Sequence, residues 1–187
     1  GVPGIGLGLS MIAFGAYLKS SGFNIYQSLF STFLAFALPG QYVMAETLLA
    51  GGNLFNIFFA VLLTNARLFP MTMYLIPILK NNKDSQFKYY FISHLIAVTA
   101  WVNMLNIYNR IDKYNRVKYF LGLGGSLWII SIISTLIGYL FSNFVEKDIL
   151  LAMVFFNPLY FLIMTIGNIN QKHLIITFIL AFITCPI

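Results

Sequence analysis

Apolar residues in this chain come in long unbroken runs separated by short polar stretches, and no ten-residue alternation of apolar and polar positions recurs. A lipid core about 30 Å thick needs roughly 20 mostly apolar residues of helix to cross it. That rule predicts spans over 2–18, 24–50, 54–79, 89–108, 119–142 and 149–168, with a partial seventh from about Leu174. The joints are Lys19–Gly22, Gly51–Asn53, the polar run from Lys80 to Lys88, and the loop from Asn109 to Lys118. Helices or closed barrels alone satisfy backbone polar groups in lipid, and a barrel would show the missing alternation. The expected fold is therefore all-α: one polytopic transmembrane bundle over 1–187, with about six to seven spans.

Composition agrees. Of 187 residues, 59% are hydrophobic and only 9% charged, with a mean hydropathy of +0.84. A soluble domain would carry roughly a quarter charged residues. The charges here are too few to cover a water-facing globule, which excludes soluble enzymes and secreted disulfide scaffolds. One cysteine, Cys185, excludes internal disulfides and multi-cysteine metal sites. The net charge of +6 lies in short loops, as membrane topology and anionic headgroups require, and predicts no nucleic-acid partner. With alternate crossings, Lys19, Lys80, Lys83, Lys88 and Lys147 fall on one side. Arg110, Lys113, Arg116, Lys118 and Lys172 fall on the other, so no orientation follows. No signal peptide is recognisable, and the abrupt apolar ends lead us to expect further residues at both termini.

Two predicted spans are interrupted. The second carries Pro39-Gly40-Gln41 and the third Asn65-Ala66-Arg67 followed by Pro70. Proline removes a backbone donor and clashes with the preceding turn, and glycine loosens the helix further. Counted from the turn near 51–52, both interruptions lie roughly 18–20 Å along their helices, near the middle of the bilayer. Two broken helices meeting at mid-depth is how transporters bind solutes: half-helix N-termini receive anions and freed carbonyls receive cations. An ordinary proline kink is the plainer reading of each break alone.

Arg67 is the only basic residue inside an apolar span and Glu46 the only acidic one. A charge in lipid normally faces the protein interior and has a partner. Arg67 is either a contact for a substrate carboxylate or a tie to broken backbone. Glu46, nearer the turn, is a solvated interfacial group or a coupling or pairing group. Gly4-Ile5-Gly6-Leu7-Gly8 and Gly122-Leu123-Gly124-Gly125-Ser126 sit inside apolar helices and read as close-packing elements, not nucleotide loops. His94 and His173 have no second ligand at metal spacing. Asn103 and Asn106 share a helix face and either line a polar path or, as such asparagines more often do, bond across helices. Asn157-Pro158 predicts a further kink.

These elements resemble the large subunit of AzlC-type branched-chain amino acid exporters. The resemblance rests on the glycine-rich first span, Ala37-Leu38-Pro39-Gly40-Gln41, the Gly51-Gly52-Asn53 turn, and Asn65-Ala66-Arg67, which is similar to the family's Asn-x-Arg-His. Leu121-Gly122-Leu123 to Gly138 and Phe155-Phe156-Asn157-Pro158 continue it. Leu68 stands where the family has His, and the acidic pair usual at the start of the fourth span is absent around Ser93-His94. The resemblance implies a bacterial plasma-membrane secondary transporter that acts with a small AzlD-type membrane subunit and needs no cofactor. Pro39, Gly40, Gln41, Asn65 and Arg67 would then hold the substrate. An intramembrane enzyme on a lipid-linked substrate, or a passive channel, are the alternatives. The first would need clustered acid–base residues that Asp84, Asp112, Glu146 and Asp148 do not provide.

Overall fold

The computed structural model describes residues 2–81 and 85–143, and every regular element among them is helical. In chain order these are α1 (Val2–Ser20), α2 (Ile25–Ala35), α3 (Leu38–Leu49), α4 (Leu54–Asn65), α5 (Leu68–Leu79), α6 (Gln86–His94), α7 (Val98–Ile107), a 3₁₀ turn (Tyr108–Arg110) and α8 (Arg116–Phe141). The expected sixth span, the partial seventh, Asn157-Pro158 and His173 lie outside the described residues.

The connections follow local chemistry. Gly22 (φ 85°) turns the chain after α1, where Phe23 N–H returns to the Leu18 carbonyl at 3.0 Å. Asn24 and Gln27 then cap α2 reciprocally, each side chain accepting from the other's backbone N–H. Gly51 (φ 74°) makes the tight turn after α3, and Asn53 caps α4 through the N–H of Asn56 at 2.8 Å.

The core is built on α1 against α8. Gly4 faces Leu127 and Ile130, Gly8 faces Ser134, Gly15 faces Thr135 and Tyr139, and Gly138 faces Ile12. The paired numbers rise together, so the two helices run parallel. At the crossing, a Cβ on Gly138 would overlap the Ile12 carbonyl, and a Cβ on Gly15 the Thr135 carbonyl. Backbone meets backbone, as small residues permit between membrane helices. The glycine-rich segments therefore do pack, at Gly4, Gly8 and Gly124. Among the described residues, nothing stands within 4 Å of a Cβ on Gly122 or Gly125. Next to this pair, α2 runs antiparallel to α8, with Thr32 on Thr135, Phe33 on Trp128 and Tyr139 donating to the Phe23 carbonyl.

Large apolar side chains also cover the outside: Phe55, Phe58 and Leu63 on α4, Phe69 and Met73 on α5, Ile129, Ile133 and Leu140 on α8. Exposed apolar surface on this scale calls for lipid. By length and composition α8 alone is long and apolar enough to cross a membrane. The bent pairs α4–α5 (48°) and α6–α7 with its 3₁₀ turn (118°) also qualify if each is one span. The described residues thus hold up to three such spans where five were expected. The α2–α3 pair, which carries Ser28, Ser31, Thr32, Gln41 and Glu46, is not among them.

Candidate substrate site

Three helix breaks come together. The first lies at Phe36-Ala37, three residues before the interruption expected at Pro39–Gln41. Proline is tolerated in the first turn of a helix, where its missing N–H has no intrahelical partner. Pro39 therefore starts α3 instead of splitting it, and Gln41 N–H already closes the first turn onto the Ala37 carbonyl at 3.1 Å. Gly40 and Gln41 thus belong to regular helix, and the freed amides precede them. The second break, at Ala66-Arg67, falls where expected, and Pro70 sits in the first turn of α5. The third, at Leu95–Ala97, interrupts the fourth span, which was read as continuous. No proline or glycine marks it. Its support is tertiary: Gly124 of α8 lets the Leu95 backbone approach, and a Cβ there would stand 3.0 Å from Leu95 Cβ and 3.3 Å from its carbonyl oxygen.

The breaks free backbone groups, and side chains take some of them. In a continuous second span the Ala37 amide would occupy the Phe33 carbonyl. Instead Trp128 Nε1 and His94 Nε2 both donate to it, each at 3.2 Å. His94 is thereby a tie between α6 and the broken end of α2. Trp101 Nε1 donates to the Met71 carbonyl at 3.1 Å, joining α7 to α5. The N-termini of α3, α5 and α7 receive no side-chain cap.

Those three uncapped N-termini line one cavity. Its walls are Phe36–Pro39 from the first break, Arg67 and Leu68 from the second, Ala97–Thr99 from the third, and Leu7 and Met11 from α1. Arg67 is exposed, and among the described residues its guanidinium has no hydrogen-bond or ion-pair partner. A cation with unspent donors beside three helix N-termini makes the polar lining of the cavity a place for an anionic group. Leu7, Met11, Phe36, Leu38 and Leu68 supply apolar lining. The free volume open to water is about 40 Å³, room for about three waters. The cavity is closed to anything the size of an amino acid.

The sequence-predicted residues divide. Pro39 and Arg67 line the cavity. Gly40 and Asn65 pack on each other, and the Asn65 Oδ1 is buried without a partner. Gln41, 1% exposed, does not line the cavity; its amide donates to Thr32 (3.2 Å) and Ser31 (3.4 Å). Glu46 is exposed near the far end of α3 and accepts a hydrogen bond from the Tyr17 hydroxyl. Asn103 bonds the Thr99 carbonyl of its own helix at 2.7 Å and Asn106 is exposed, so neither crosses between helices as expected. Sequence reasoning missed Ala97–Thr99. The β-branched Ile96, Val98 and Thr99 are the only local signal, and a weak one.

Discontinuous helices that meet around an internal cavity are the architecture of membrane transport proteins. The AzlC protein family model matches residues 4–145, and the chain belongs to that family of membrane transporters, which is associated with branched-chain amino acid transport. No curated protein and no solved structure matches the chain.

Proposed function

We propose that this chain is a multi-pass secondary transporter of the bacterial plasma membrane that exports branched-chain or similar small neutral amino acids, driven by an ion gradient and paired with a small AzlD-type membrane subunit. One observation carries the reading: three helix breaks and an arginine unpaired among the described residues meet at one cavity with both polar and apolar lining. In this reading the substrate carboxylate lies against Arg67 and the amides that open α3, α5 and α7. Charge-assisted hydrogen bonds are the strong ones, and the planar guanidinium matches a carboxylate bidentately. The branched side chain faces Leu7, Met11 and Phe36. Pro39 sets the start of α3, while Gly40 and Asn65 hold the two breaks together. Gln41 acts one layer behind. Helix directions support the span count: α1 parallel to α8 and α2 antiparallel to it fit the first, second and fifth segments of a chain that crosses alternately.

The cavity holds only waters when closed, so a bound leucine needs the half-helices to swing apart at their breaks, the alternating-access motion of such folds. Counterflow in proteoliposomes with a panel of labelled amino acids tests the proposal, with and without the small subunit. Leucine, isoleucine and valine should exchange, faster with the subunit present. Lipid turnover without exchange of any amino acid would sink the reading, and equal rates with and without the subunit would remove the pairing.

A further inference from the structure

Behind the cavity lies a buried polar seam between α2, α3 and α8. Thr32 and Thr135 are fully buried, and their hydroxyl oxygens stand 3.2 Å apart. Gln41 reaches in from α3, its Nε2 donating to Thr32 and Ser31. Thr135 is placed to donate to the Ser131 carbonyl (2.8 Å) and Ser31 to the Ser28 carbonyl (2.9 Å), while the Thr32 hydroxyl faces both the Ser28 carbonyl (3.4 Å) and Thr135 Oγ1. The Gln41 Oε1 is buried and has no donor among the described residues. A buried acceptor left unpaired costs about 1–3 kcal/mol, so it calls for an occupant.

We infer that Gln41 Oε1 with the hydroxyl oxygens of Thr32 and Thr135 forms a sodium-binding site at the C-terminal end of α2. Four features specify that chemistry. The ligands are neutral oxygens, which suit a hard cation, and no carboxylate is among them to offset a double charge. None of these groups titrates near neutrality, so a proton is not the occupant. α2 ends at the Phe36-Ala37 break, about one turn beyond Thr32, without the returning amide that closes α3, α4 and α5, so the negative end of its dipole is near Thr32 even though the Phe33 carbonyl is taken by Trp128 and His94. The spacing also fits: ligands about 2.4 Å from an ion of this size and at right angles stand about 3.4 Å apart, close to the 3.2 Å between the threonines. On ion binding Gln41 Nε2 releases Thr32 and keeps Ser31, while Oε1 takes the ion.

The site touches the cavity through one residue. Met11 lines the cavity, and its Sδ lies 3.8 Å from Thr135 Oγ1. Sodium at the C-terminus of α2 and a carboxylate at the N-terminus of α3 would occupy the two sides of a single break. Each ion would hold one half-helix and favour the same closed geometry. The use of the ion in coupling rests on the transporter reading; its binding does not.

The test is the melting point of the purified full-length chain in sodium, potassium and choline chloride at equal concentration, without amino acid. Sodium alone should raise it, saturably; at ten times the Kd the folded-to-unfolded ratio rises about tenfold. Thr135→Val and Thr32→Val keep shape and remove a ligand, and each should abolish the sodium shift. Thr135→Ser keeps the hydroxyl and should retain it, even if Thr135→Val does not fold. Identical melting in all three salts would mean that a water satisfies Gln41 and overturns the proposal, as would a sodium shift that survives both valine variants. A leucine-induced shift in potassium, measured separately, reports on the transporter reading. Its loss with the sodium shift intact leaves the ion site standing.

Discussion

The Asn65 side chain lies directly against the α-carbon of Gly40, in the space a methyl group at position 40 would need. Asn65 is the last residue of α4 and Gly40 lies in the first turn of α3, at the far end of the hairpin from the Gly51-Gly52 turn. The first and second breaks therefore meet in a contact between a glycine and an amide. Position 40 has to lack a side chain for reasons of space, since its backbone is ordinary helix.

Gly40→Ala should consequently force the two breaks apart. Overpacking of this kind typically costs 1–3 kcal/mol, and here it also displaces the α3 N-terminus from the cavity. The expected result is a lower melting point and a loss of leucine exchange. Asn65→Ala in the same chain should restore much of the stability, because the colliding atoms are gone. A double-mutant cycle on melting points checks this, and strictly additive losses would contradict the contact.

Chemistry written locally was legible in the sequence, and geometry set from a distance was not. Pro39 and Gly40 announced the first break but not its position, since a proline can either split a helix or begin one. What put the break at Phe36-Ala37 is the Phe33 carbonyl being claimed by His94 and Trp128, residues 61 and 95 positions away. The third break had only the weak β-branched signal of Ile96, Val98 and Thr99, because the space for the bend is made from a distance by Gly124. Arg67 was found by its charge alone. Gln41 was found too, but its direction depended on hydroxyls of α2 that no spacing rule pairs with it.

The glycines of α8 should differ sharply. Gly138→Ala drives a methyl group into the Ile12 carbonyl of a parallel helix, so α1 and α8 must separate and the melting point should fall steeply. Gly122→Ala and Gly125→Ala meet nothing within 4 Å among the described residues. Each should be neutral or stabilise by up to about 1 kcal/mol through helix propensity. Thermal melting of the three single variants in one detergent makes the comparison, and a Gly125→Ala variant as damaged as Gly138→Ala would refute the α1–α8 packing.

Trp128→Phe keeps an aromatic ring against Phe33 and removes one of the two donors to its carbonyl. His94 remains, so the cost should be modest, about 1 kcal/mol. Combined with His94→Phe, the carbonyl has no donor left, and the loss should exceed the sum of the single losses because a carbonyl facing lipid has no water to replace the lost donors. Additive melting shifts across the four proteins would mean that the carbonyl finds water and that these residues do not fix the break.

Arg67 separates binding from architecture. Arg67→Lys keeps the charge but loses the planar fork, so the affinity for leucine should weaken while the baseline melting point stays. Arg67→Gln removes the charge as well and should abolish the leucine-induced thermal shift. Among the described residues the guanidinium has no partner whose loss would destabilise the empty protein, so the baseline of both variants is expected within a degree or two of the parent, given that surface changes usually stay within about 0.5 kcal/mol. The two measurements are made on the same samples, with and without amino acid. A baseline that falls in both variants while the leucine shift persists would assign Arg67 to tying down broken backbone, and the carboxylate would then have to be held by the helix N-termini alone.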